Sequence, residues 1–195
     1  ITGYSQQGQS EEALKCFDKM QHEGLYPNVI TLSCILKACG GVGAIEKGGM
    51  IHDDIVNKNL LGKDVALGNA VVDMYAKCGA LTKAQGVFNE LPFRDIVSWT
   101  TLMSGYVDHG HYVEALSCFA HIRNCSLPVN AITIVCALKA CCALGSIDKG
   151  KSLHNDILRG GFGGDISVCN TLVDMYAKCG QLSKAQDVFD TISCR

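Results

Sequence analysis

The octapeptide VDMYAKCG is written twice, from Val72 to Gly79 and again from Val173 to Gly180, an interval of 101 residues in a chain of 195. Aligning the copies brings most of the chain into register with itself. ILKACGGVGAIEKG at 35–48 matches ALKACCALGSIDKG at 137–150, His52 matches His154, and GYSQQGQSEEALKCF at 3–17 matches GYVDHGHYVEALSCF at 105–119. A period near 100 residues is too long for one helix-turn-helix unit, so smaller units must lie inside it. Three related kinds are legible, each an apolar helix, a glycine-containing turn and a second helix.

The clearest unit is 96–130. Trp99, Leu102, Met103 and Tyr106 recur at i, i+3, i+4 and i+7, one face of a first helix. Gly110 suits the left-handed residue that closes such a helix. Ala115, Phe119 and Ile122 mark the inner face of a second helix, which Pro128 prevents from continuing. Residues 65–95 form a shorter unit, with Ala84, Phe88 and Leu91 on its second helix. Residues 29–64 and 131–165 are a third kind, marked by LKAC and a glycine-bounded turn. Residues 1–28 are the back part of a unit like 96–130, and 166–195 repeat 65–95 with one residue missing.

A two-helix unit of this size cannot bury its apolar face alone; stacking on neighbours makes the core continuous. The spacing therefore predicts an all-α superhelical solenoid of helix-turn-helix repeats. VDMYAKCG then ends a first helix, with Met74 and Tyr75 facing neighbours, Asp73 and Lys77 paired at i, i+4, and Gly79 turning the chain. The chain begins at Ile1, inside a helix, and neither end has a capping repeat. It is read as part of a longer protein with apolar faces exposed at both ends.

Hydrophobic residues make up 48% of the chain and charged residues 18%, which suits a folded protein rather than a disordered one. No apolar run reaches the ~20 residues needed to cross a bilayer, so no membrane partner is expected. The net charge of −2 argues against a protein that grips nucleic acid mainly through phosphates. Such a function would have to rest on base contacts or on locally placed lysines. The twelve cysteines invite a disulfide or zinc reading, but there is no Cys-x-x-Cys and no Cys/His set at zinc spacing. Cys16, Cys34, Cys39 and Cys78 instead recur in register as Cys118, Cys136, Cys141 and Cys179, as small buried packing residues do. Packed helices lie ~8–10 Å apart, so equivalent cysteines three units apart are separated by roughly 30 Å. A disulfide needs Cα atoms within about 7 Å.

VSWTTLMSGY, EALSCF and PVN within 96–130, ITLSCILKACGGVGAIEKGGMIH and ITIVCALKACCALGSIDKGKSLH, and NAVVDMYAKCGALTKAQGVFNELPFRD together resemble the plant-type pentatricopeptide repeat family. These are its mixed arrays, which alternate P, L and S units. On that resemblance 1–28 is a partial P unit, 29–64 an L unit, 65–95 an S unit, 96–130 a P unit, 131–165 an L unit and 166–195 an S unit. The resemblance implies a right-handed superhelix that binds single-stranded RNA sequence-specifically, one base per unit, in mitochondria or chloroplasts. It also implies a role in positioning cytidine-to-uridine editing sites, with editing-complex proteins as possible partners. The physical logic is that short polar side chains at the fifth and last positions of a unit lie together and can hydrogen-bond a base edge.

Carried onto this sequence, Asn69 with Asp95 resembles the family's uridine reader, and Thr100 with Asn130 its adenine reader. Asn170 favours a pyrimidine, its partner lying beyond Arg195, while Asn28 is the last residue of a unit whose fifth position is missing. The L units offer Ser33 with Asp64 and Val135 with Asp165; Val135 cannot hydrogen-bond through its side chain, so that unit spaces rather than reads. Because such arrays run parallel to RNA, the expected target is 5′-x-U-A-x-(U/C)-3′ for the five units from Val29 onward. Ile30, Val97 and Ile132, at second positions, either stack on base faces as in family members or are ordinary apolar helix-start residues. Lys77 and Lys178 reach phosphate or pair with the aspartates four residues before them, the ion pair being favoured.

No catalytic machinery is legible. A zinc deaminase shows His-x-Glu and Pro-Cys-x-x-Cys, and neither is present. The glycine-rich GGVG and GGFGG lack the Gly-Lys-Ser/Thr ending of a phosphate loop and read as turns. His52 and His154 read as packing residues. No enzyme, metal, cofactor or small-molecule substrate is expected in this chain; an editing deaminase would lie beyond Arg195 or act in trans. The alternative is a tetratricopeptide-like protein-binding scaffold, suggested by Trp99, Leu102, Tyr106, Ala115, Phe119 and Pro128.

Overall fold

The computed structural model describes residues 1–193. The last two residues of the final unit read from the sequence, Cys194 and Arg195, lie outside the described residues. Among those described the fold is all-α, with twelve α-helices, one short 3-10 helix (Phe162–Gly164) and no strand. The helices are α1 (Thr2–Gln6), α2 (Ser10–His22), α3 (Val29–Val42), α4 (Ile45–Asn57), α5 (Val65–Lys77) and α6 (Leu81–Glu90). They continue as α7 (Ile96–Asp108), α8 (Tyr112–Asn124), α9 (Ala131–Ala143), α10 (Ile147–Arg159), α11 (Ile166–Lys178) and α12 (Leu182–Ser193). No helix among the described residues is long and apolar enough to cross a membrane.

The chain divides into two compact units, Ile1–Gly105 and Tyr106–Arg195. In the first, α1, α3 and α5 pack in succession, while α2, α4 and α6 each pack on the first helix of their own hairpin. Leu32, Ile35, Leu36, Leu67, Val71 and Leu102 close the core between them. The second unit repeats the pattern, α9 packing on α11 and α10 on α9, around Ile134, Leu138, Val168 and Leu172. The helical faces read from the sequence are the buried ones: Leu102, Met103, Ala115 and Ile122 are fully enclosed.

The methionine and tyrosine of the repeated octapeptide make the same contacts in each copy. Met74 is fully buried and its thioether occupies space that Gly48 leaves open, since a Cβ there would lie 2.4 Å from Sδ. Met175 packs on Gly150 in the same way, at 2.6 Å. The Tyr75 hydroxyl lies 3.2 Å from His52 Nδ1, and that of Tyr176 lies 2.9 Å from His154 Nδ1. Lys83 and Lys184 sit over the two tyrosine rings at 5.6 and 5.8 Å, within cation–π range. Gly79 and Gly180, at φ 75° and 74°, take the left-handed turn that follows each helix.

Burial pushes the pKa of both histidines below the ordinary imidazole value; for His154 the charge of Lys184 adds to it. A group held neutral in the fold binds fewer protons than in the unfolded chain, so stability rises with pH through this range. The contribution is complete above the unfolded value of about 6.5 and diminishes as pH falls below it. Urea unfolding midpoints are expected to fall between pH 7.5 and 5.5, and the double variant His52→Gln with His154→Gln to flatten that dependence. An unchanged slope would remove the histidines from the account.

The described cysteines are unbridged. Burial raises the thiol pKa of Cys39, Cys118 and Cys141 to about 11, so at neutral pH they are thiols packed as small apolar groups rather than reactive thiolates. Among the described residues no group of His, Cys, Asp and Glu is placed to hold a metal ion.

Candidate nucleic-acid interface

Five residues singled out as unit ends are helix N-caps. Asn28, Asp95 and Asn130 accept through Oδ1 from the backbone amides of Thr31, Ser98 and Thr133, each at 2.8 Å. Asp64 and Asp165 accept from Leu67 and Val168 at 3.0 Å. The hydroxyls of Thr31, Ser98 and Thr133 donate to the same oxygens. A cap satisfies one of the amides orphaned at a helix start and contributes about 1 kcal/mol. Sequence spacing points these side chains to base reading alone; capping is a second role for the same residues. The signal was present, as Asn or Asp followed three residues later by Thr or Ser in NVIT, DIVS and NAIT.

The cap uses one side-chain oxygen, and the position of the helix start decides what the rest of the side chain meets. Asn69 lies one turn into α5, 7% exposed, and its Nδ2 is 3.5 Å from Asp95 Oδ1 at the start of α7. A carboxylate only accepts, so the amide NH2 must face Asp95, which settles which way the Asn69 amide points. Its Oδ1 is buried and has no hydrogen-bond partner among the described residues. At Asp95 burial raises the carboxyl pKa. The amide and hydroxyl of Ser98 and the amide of Asn69 outweigh it and hold the group below the usual carboxylate range, so it is ionised at neutral pH.

Thr100 stands at the same place on α7, also 7% exposed, and its hydroxyl donates to the Ile96 carbonyl at 2.7 Å. It belongs to the first compact unit and Asn130 to the second. On the remaining first helices, Ser33 and Val135 are half-buried, and Asn170 is exposed.

Ile30, Val97 and Ile132, one residue inside α3, α7 and α9, are 65%, 52% and 60% exposed. They therefore lie outside the core, with much of each apolar side chain open to solvent. Lys77 and Lys178 pair with Asp73 and Asp174 at 2.6 and 2.8 Å. These are exposed i, i+4 pairs worth a few tenths of a kcal/mol.

The family model described as the PPR (pentatricopeptide) repeat family matches residues 1–41 and 94–143, and that for the PPR repeat matches 69–96 and 167–194. A chloroplastic pentatricopeptide repeat-containing protein of Arabidopsis thaliana is 38% identical over 190 residues, 97% of this chain and 35% of its own. A second, also chloroplastic and from Arabidopsis thaliana, is 38% identical over 192 residues, 98% of this chain and 31% of its own. The chain thus spans about a third of the length of these curated relatives. Among solved structures, the pentatricopeptide repeat protein PPR10 in complex with an 18-nucleotide psaJ RNA element superposes with a TM-score of 0.75. The match is at 20% identity and covers 97% of this chain and 28% of that one. PPR10 from maize gives 0.64 over all of this chain and 32% of its own, also at 20% identity. Likeness at that identity establishes the fold, a solenoid of helical hairpins.

Proposed function

This chain belongs to the pentatricopeptide repeat family, and on that premise we propose that it binds single-stranded RNA, reading bases with paired polar residues of successive first helices. The observation that carries the reading is Asn69. Its amide nitrogen is turned to the Asp95 carboxylate and its buried Oδ1 is left without a partner. An unsatisfied buried acceptor costs about 1–3 kcal/mol, a cost that a ligand donor offsets. Uracil offers one at N3–H. Thr100, whose hydroxyl proton goes to Ile96, meets a base as an acceptor, which fits the N6 amino group of adenine. The exposed Ile30, Val97 and Ile132 supply apolar surface for base faces, at about 1–3 kcal/mol per stacked base for aromatic platforms and less for aliphatic ones.

The units proposed are L at 29–64, S at 65–95, P at 96–130, L at 131–165 and S at 166–195, with the register 5′-x-U-A-x-(U/C)-3′. Service in an organelle, chloroplast or mitochondrion, and a part in cytidine-to-uridine editing with a deaminase supplied elsewhere complete the proposal. Family membership weighs against the tetratricopeptide alternative. With a net charge of −2, affinity has to come from bases more than phosphates.

The test is binding of the chain to short labelled RNAs carrying a central 5′-UA-3′ or 5′-AU-3′. The UA set is expected to bind more tightly, and Thr100→Asn to move preference at the second base from adenine toward a pyrimidine. Equal binding of both sets by folded protein, unchanged by the substitution, would sink the reading.

A further inference from the structure

The two copies of the internal repeat serve as controls for one another, and among the differences on their second helices is the surrounding of one lysine. In the first, Lys47 of α4 forms an ion pair with Asp18 of α2, and its ammonium lies 6.0 Å above the Phe17 ring. In the second, the register puts Lys149 for Lys47 and Phe119 for Phe17, but Ala120 for Asp18 and Ser152 for Met50. Both side chains are shorter, and a cavity of about 350 Å³ lies there, lined by α8, α10 and Cys141 of α9. Leu116, Phe119 and Leu153 line it with apolar surface, and Lys149, Arg123, Asn124 and Ser152 are its polar groups. Phe119 and Leu153 are buried, whereas Lys149 and Ser152 are exposed.

The charges at the cavity are unequal in their compensation. Arg123 Nη1 lies 2.8 Å from Asp156 Oδ2. That ion pair compensates the guanidinium. Lys149 has no ion-pair partner among the described residues. The neighbouring Asp148 is 3.6 Å from Lys151 instead. The cavity therefore presents one uncompensated ammonium beside an apolar hollow, at the position where the sister copy holds a carboxylate.

We propose that this cavity is a docking site for an acidic segment of a protein partner. An Asp or Glu side chain reaches Lys149 as Asp18 reaches Lys47, and an adjoining aliphatic side chain covers Leu116, Phe119 and Leu153. The occupant is a carboxylate because that is what the sister site contains. It is borne on a peptide because the group that meets the equivalent lysine in the sister copy is a carboxylate, not a phosphate. None of the residues proposed above to read bases lines the cavity.

The probe is a fluorescein-labelled peptide, GLDELLG, compared by anisotropy with its amide counterpart GLNQLLG on the whole chain. The acidic peptide is expected to bind about ten-fold more tightly, the scale of one well-placed charge pair. Ala120→Asp restores the internal carboxylate and is expected to weaken binding about ten-fold while leaving the thermal midpoint undiminished. Lys149→Gln should weaken it comparably. No binding, equal binding of both peptides, or indifference to Ala120→Asp overturns the proposal. So does a single-stranded RNA whose binding Ala120→Asp abolishes while the peptide gives no response, which would assign the cavity to phosphate.

Discussion

Phe88→Ala is expected to cost about 3–5 kcal/mol, the range for removing a fully buried phenylalanine. The ring is 2% exposed and meets the edge of Trp99 with centroids 4.7 Å apart at 71°, a T-shaped contact that adds to simple burial. Arg94 lies over it at 5.4 Å, held there by a 2.8 Å hydrogen bond from Nε to the Phe88 carbonyl. Truncation thus leaves a cavity, strips Trp99 of its partner and removes the surface on which Arg94 rests. The register supplies a control within the same chain. Phe189 stands where Phe88 does in the copy, but it is 53% exposed, and its truncation should cost several-fold less. Urea unfolding of the two variants checks this; equal losses would mean that burial does not set the cost.

Asn69→Thr combined with Asp95→Asn should exchange a uridine preference for an adenine preference at one base, on the reading proposed above. The substitutions copy Thr100 and Asn130 onto the preceding unit. A good side chain–base pair discriminates by about 1–3 kcal/mol, so each preference is worth roughly 5- to 150-fold. The fold should tolerate both changes. Thr100 already occupies the corresponding buried place on α7 at the same 7% exposure, and Asn130 caps α9 at the same 2.8 Å as Asp95 caps α7. Measured against RNAs carrying 5′-UA-3′ and 5′-AA-3′, the wild type should prefer the first and the double variant the second. A variant that stays folded and keeps the wild-type preference would place base reading elsewhere.

The helices were legible because their evidence is local or repeated. The 3.6-residue spacing of Trp99, Leu102, Met103 and Tyr106 reports a buried face wherever it occurs. The in-register pairs, Cys39 with Cys141 and His52 with His154, tell packing residues from reactive ones without a structure. The caps at Asn28, Asp95 and Asn130 are equally local, three residues from Thr or Ser.

What the sequence determined by itself was the repeat, the helical hairpins and the placing of Asn69 beside Asp95. Each of these depends on spacing along one chain, and spacing is what a sequence states directly. Tertiary structure alone decided that Asn69 turns its amide nitrogen to Asp95 and leaves a buried oxygen unpaired. It alone decided that Met74 fills the space over Gly48, and that Lys149, unlike Lys47, stands beside an open cavity. Those outcomes turn on ångström differences between side chains far apart in sequence, where Asp18 or Ala120 across a helix pair decides whether a charge is met or left waiting.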